Sequence, residues 1–90
     1  MLSTQDRLLL ALYRLYRQED CYVWTHHSII VEAGEPVLTR NSTRKGLKAL
    51  RQAGYAHHSI AFSLDEPEVR GSGHYITHEG ITYLQEKGLI

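Results

Sequence analysis

The apolar pattern changes period at Gly54, and that change restricts what the chain can fold into. Thr43, Leu47, Leu50 and Gly54 recur at i, i+4, i+7 and i+11, which is one face of a helix. Thr39 or Asn41 supplies its cap. Beyond Gly54 the period becomes two: His58, Ile60, Phe62 and Leu64 alternate with Ser59, Ala61 and Ser63, as on a half-buried strand. A helix that runs directly into a strand, within 90 residues, leaves room for one modest core and excludes a second domain.

The same helix concentrates the positive charge. The ten basic and ten acidic residues cancel overall, yet positions 36–64 hold Arg40, Arg44, Lys45, Lys48 and Arg51 and no acid. The flanks are acidic, with Asp6, Glu19, Asp20, Glu32 and Glu35 before this stretch and Asp65, Glu66, Glu68, Glu79 and Glu86 after it. Helical periodicity gathers Asn41, Arg44, Lys45, Lys48 and Arg51 on the side opposite the core positions. Taken alone, such a cluster reads equally well as a solvated helix face. The long acid-free stretch makes it a candidate surface for a polyanion.

Around this centre the remaining elements follow from caps and breakers. Ser3 can cap a first helix of about four turns, with Asp6 in its first turn. Leu8, Leu12, Leu15 and Tyr16 face inward there, flanked by Leu9 and Tyr13, with Arg7, Arg14, Arg17 and Gln18 outward. Cys21 to Trp24 is a short β-prone run. Thr25 caps a second helix with Ile29, Ile30 and Ala33 inward, which Gly34 ends and Pro36 keeps from resuming. Pro67, Gly71 and Gly73 mark a long loop after the first long strand, and His74-Tyr75-Ile76 returns antiparallel. Thr77 caps a last helix with Ile81, Leu84 and Tyr83 inward, ending at Gly88. The expected class is α+β, ordered helix, strand, helix, helix, strand, strand, helix.

That order, together with two stretches of sequence, resembles a winged helix-turn-helix of the MarR/PadR type. Ser42 to Tyr55, STRKGLKALRQAGY, is similar to the recognition helix of that group, and Tyr75 to Leu84, YITHEGITYL, to its exit from the wing. The resemblance covers nearly the whole chain from Ser3 onward. It implies that the third helix enters the DNA major groove through Ser42, Arg44, Lys45 and Lys48. Charge and periodicity add Arg40, Asn41 and Arg51. Arg70 is the wing's candidate for the phosphate backbone, although Asp65, Glu66 and Glu68 surround it, a departure from the family pattern. The family's metal-, ligand- and oxidation-sensing chemistry finds no matching residues.

Six histidines, including the pairs His26-His27 and His57-His58, invite a metal reading. Neighbours in sequence diverge on a helix and point to opposite faces on a strand, so neither pair chelates. A strand-to-helix junction between His74 and His78 breaks their i, i+4 geometry. His26 and His27, at the start of the second helix, could instead touch the DNA backbone, with protonation near pH 6.5 strengthening binding. Gly46 costs about 1 kcal/mol relative to Ala inside a helix, which points to close packing, expected against the second helix. Tyr13, Tyr16, Tyr22 and Trp24 are expected in the core.

No catalytic constellation, phosphate-cradling glycine loop or cofactor motif is present, so the reading is a DNA-binding regulator and not an enzyme. A winged-helix module that docks on another protein is the rival, since one fold serves both purposes. RNA or single-stranded nucleic acid is weaker, because no aromatic ladder accompanies the basic residues. Homodimers would read paired half-sites, using the first helix, Leu89-Ile90 or the DNA itself. Cys21 alone excludes an internal disulfide framework, and no run approaches a membrane span. A cytoplasmic protein is expected.

Overall fold

The computed structural model describes residues 2–18, 23–62 and 70–90, with the backbone alone at 60–62 and 70–72. In chain order these form α1 (Thr4–Gln18), α2 (His26–Ala33), α3 (Arg40–Gln52), β1 (Ala56–Phe62), β2 (Arg70–Ile76) and α4 (His78–Glu86). The two strands pair antiparallel, Ala56 opposite Ile76 and Phe62 opposite Arg70. This is an α+β arrangement consistent with a winged-helix-like fold. The expected early strand is reduced, among the described residues, to one bridge, in which Trp24 and His74 exchange backbone hydrogen bonds of 2.9 Å each. Thr25 caps α2 immediately afterwards, so the run does not continue beyond Trp24. Cys21 and Tyr22 lie outside the described residues, as do Leu64 and the acidic residues Asp65, Glu66 and Glu68.

Each helix starts at a hydroxyl that accepts from an amide three residues on. Ser3 accepts from Asp6 N (3.1 Å), Thr25 from Ser28 N (3.2 Å), Thr39 from Ser42 N (3.1 Å) and Thr77 from Gly80 N (3.1 Å). The choice between Thr39 and Asn41 thus falls on Thr39. Gly34 ends α2 as expected, at φ +74°. Gly54 departs from the expectation that it extends the buried face of α3. It is exposed and ends the helix at φ +84°, a conformation that favours glycine.

α1 is the centre of the core. Leu8, Leu9, Ala11 and Leu12 are completely buried, and Leu15 nearly so, against Trp24, Ile29, Leu47, Leu50, Ala56, Ile76 and Leu84. Each fully buried leucine contributes about 2 kcal/mol. Two expectations about α1 fail. Tyr16 is 48% exposed, because the stripe that meets the other helices runs through Leu8, Ala11, Leu12 and Leu15. Arg7 does not face solvent: its Nη2 donates to the carbonyls of Ala33 (3.3 Å), Gly34 (3.1 Å) and Pro36 (2.7 Å). Those carbonyls belong to the end of α2 and the turn after it, which have no helical partners of their own. α4 joins the same end of α1 through Tyr83, whose hydroxyl donates to Asp6 Oδ1 at 2.8 Å.

Gly46 and Gly80 mark the closest approaches. A Cβ on Gly46 would run into the Leu8 side chain, so α3 packs there against α1 and not, as expected, against α2. A Cβ on Gly80 would meet the backbone oxygen of Tyr55 and come within 2.8 Å of Ile76 Cγ1. That oxygen also accepts from Thr77 N at 3.1 Å, so it is not free to move. Gly80→Ala should therefore destabilise the protein by about 1–3 kcal/mol, although alanine is worth about 1 kcal/mol more than glycine in an unhindered helix. Urea denaturation reads the difference, and a variant at least as stable as the parent would show that α4 does not sit this close.

Candidate nucleic-acid interface

The buried face of α3 consists of Thr43, Gly46, Leu47 and Leu50. Thr43 reaches the core because its hydroxyl donates to Thr39 O at 2.8 Å, which satisfies it without water. With that face fixed on α1, Arg40, Asn41, Ser42, Arg44, Lys45, Lys48 and Arg51 all fall on the exposed side. Arg40, Arg44 and Lys48 form one i, i+4 row, about 12 Å from first to last at 1.5 Å per residue. No carboxylate among the described residues is bonded to Arg40, Arg44, Lys45 or Lys48. Ser42 takes part in the cap, its Oγ accepting from the Thr39 hydroxyl at 2.9 Å.

Two residues of the expected set stand apart. The guanidinium of Arg51 hydrogen bonds to Nε2 of His74, so its donors are already partly used. Arg70 lies at the start of β2, and its side chain is outside the described residues.

The His74 contact leads to a feature that sequence reasoning missed. His74 is 2% exposed, and its ring lies edge-on to those of His58 (centroids 5.0 Å apart) and His26 (5.5 Å). Three elements, α2, β1 and β2, deliver one histidine each. Only the sequence-adjacent pairs and His74-His78 invite consideration in the sequence, and contact between positions 26, 58 and 74 leaves no local signal. The three line a cleft of about 340 Å³ together with Thr25, His27, Ile30, Arg40 and Gly73. Gly73 belongs there for a steric reason, since a Cβ would run into the backbone of Trp24.

Burial holds His74 neutral, pushing its pKa down to about 4, with Arg51, His58 and His26 adding positive charge nearby. Burial likewise lowers His26, helped by Arg40, Arg44, Arg51 and His58. The expectation that His26 gains charge near pH 6.5 therefore fails, since its ring is half-buried beside the cations of α3 instead of facing outward. His27 is exposed. Among the described residues no group of three or more His, Cys, Asp or Glu is arranged to hold a metal ion.

No protein-family model and no curated protein sequence matches the chain. Among solved structures it is similar to the crystal structure of a "putative DNA-binding protein" from Ralstonia eutropha JMP134, with a TM-score of 0.67 and 21% sequence identity, over 97% of this chain and 96% of the other. At this level of identity the likeness establishes a shared fold.

The depressed His74 sets a sign for stability against pH. An unfolded-state histidine takes up its proton near pH 6.5, whereas folded His74 does so near 4. The contribution is therefore fully present above pH 6.5 and is lost as pH falls from there toward 4. The loss from His74 between pH 7 and 5 should be about 2 kcal/mol, read from urea midpoints across that range. His74→Gln, which cannot titrate, should flatten the slope whatever its absolute stability, and a parent protein with a flat profile would contradict the buried neutral imidazole.

Proposed function

We propose that the protein binds double-stranded DNA by laying α3 in the major groove of a winged helix-turn-helix, and that it acts as a small transcriptional regulator. The observation that carries this is the outward face of α3, where Arg40, Arg44, Lys45 and Lys48 are exposed and unbonded to carboxylates among the described residues. A helix fits a groove about 12 Å wide, and Arg and Lys there can bond guanine O6 and N7 or neutralise phosphates. Asn41 and Ser42 at the first turn add short polar groups beside amides that favour an anion. A shared fold with a structure named for DNA binding supports the reading. A symmetric consensus selected from a random duplex pool would show that protomers bind in pairs.

A docking module for another protein is the second reading, favoured by Val31 and Val37, each 65% exposed near the end of α2. Fluorescence anisotropy with duplex DNA separates the two. Four phosphate contacts give a log–log salt slope of about −3.6, so affinity should fall ~150-fold between 50 and 200 mM salt. The double variant Arg44→Glu/Lys48→Glu should lose binding with no change in melting temperature, while Arg17→Glu on α1 retains it. No binding below ~100 µM at 50 mM salt would remove DNA as the partner and leave the docking reading.

A further inference from the structure

The cleft at the start of α2 offers hydrogen-bond donors and positive charge to whatever enters it. Arg51 can only donate, so His74 Nε2 must accept from it, and the hydrogen of the neutral ring is carried on Nδ1. Nδ1 is buried without a partner among the described residues, as is His26 Nε2. The remaining polar lining consists of Arg40, His27, His58 and Thr25, and the Thr25 hydroxyl already donates to Ser28 Oγ at 3.2 Å. Among the described residues no carboxylate lines the cleft. The first amides of α2, at His26 and His27, have no carbonyl one turn back and lie in residues that line it.

A transition metal would need imidazole lone pairs, and the one on His74 Nε2 is engaged by a cation. A buried N–H, a nearby guanidinium and the amides of a helix start favour an acceptor bearing negative charge.

We infer that this cleft binds an oxyanion of the phosphate class, held by His74 Nδ1–H, His26, Arg40 and the first amides of α2. The volume of about 340 Å³ exceeds a bare phosphate and has room for one with an organic substituent. Two sources share that chemistry: a free phosphate ester, or a backbone phosphate of the duplex held by α3. The second source rests on the DNA reading and the first does not. The bound charge opposes the cations that lower His26 and His74, so binding raises both pKa values.

The test is a proton–carbon NMR titration of the histidine rings with inorganic phosphate, against sodium chloride at equal ionic strength and without DNA. Saturable shifts at His26 and His74 in the millimolar range, with the His74 pKa rising by more than one unit, support the site. Arg40→Gln should weaken them at least 10-fold. Absent or non-saturable shifts, or equal shifts in chloride, overturn it. A response to zinc chloride without one to phosphate also overturns it, in favour of a metal. A duplex arm assigns the source once phosphate binds. Shifts at the same rings that inorganic phosphate competes away identify the DNA backbone, and unchanged rings with phosphate still binding identify a free ester. Because the phosphate arm contains no DNA, loss of the site and loss of the DNA reading are separate results.

Discussion

The orientation of α3 follows from its contact with α1 at Gly46. With no side chain there, the helix backbone comes down on Leu8, itself completely buried, and Thr43, Leu47 and Leu50 are carried into the core on either side. An amphipathic helix fixed along one face has no choice about the other. The cations of α3 are exposed because of where Gly46 sits, and the candidate interface is in that sense a consequence of packing. A larger residue would not remove any charge, yet it would disturb the direction in which all of them point.

α1 gathers the other elements by polar contacts at its N-terminal end. Arg7 serves three carbonyls at the α2 terminus and the following turn, and Asp6 accepts from Tyr83 of α4. A hydrogen bond to a charged donor contributes about 1.5–3 kcal/mol, comparable with one buried leucine, and it is directional where the leucines are not; the two hydrogens of Arg7 Nη2 are shared among its three carbonyls. The turn between α2 and α3 is therefore positioned by α1 as well as by its own residues. At the opposite end of α3, the Thr77 hydroxyl donates to Gly54 O at 2.6 Å while its amide reaches Tyr55 O. The helix is thus tied at both termini to elements that touch α1.

Caps and periods were the legible part of the sequence. Ser3, Thr25, Thr39 and Thr77 could be read because a cap is a local event within three residues, and β1 because alternation is local too, whereas β2 begins at Arg70 and takes in Gly71 and Gly73, whose residue types read as loop. Arg7 could not be read in this way. An arginine in the first turns of a helix carries the same local pattern whether it meets water or carbonyls more than 25 positions away, and only the fold brings Ala33 and Gly34 to it. Gly54 was assigned to a face by its spacing, when its conformational freedom was the property in use. Gly80 gave no signal, since its reason is the backbone of Tyr55. The cationic face of α3 was visible as charge and period together, whereas the contact of Arg51 with His74 joins positions whose separation in sequence hides them.

That contact links the two halves of the site. His74 stays neutral because burial and surrounding cations disfavour its charged form, and a neutral ring is what allows Nε2 to accept from Arg51. A proton on Nε2 would break the bond and set imidazolium against guanidinium at the back of α3. Any anion that screens Arg40, Arg44 or Arg51 lessens the cost of charging His26 and His74, so anion binding and proton binding favour each other by linkage. The coupling requires no movement of α3. It follows from placing three imidazoles on the flank of a helix whose exposed face carries charge that no carboxylate among the described residues pairs with.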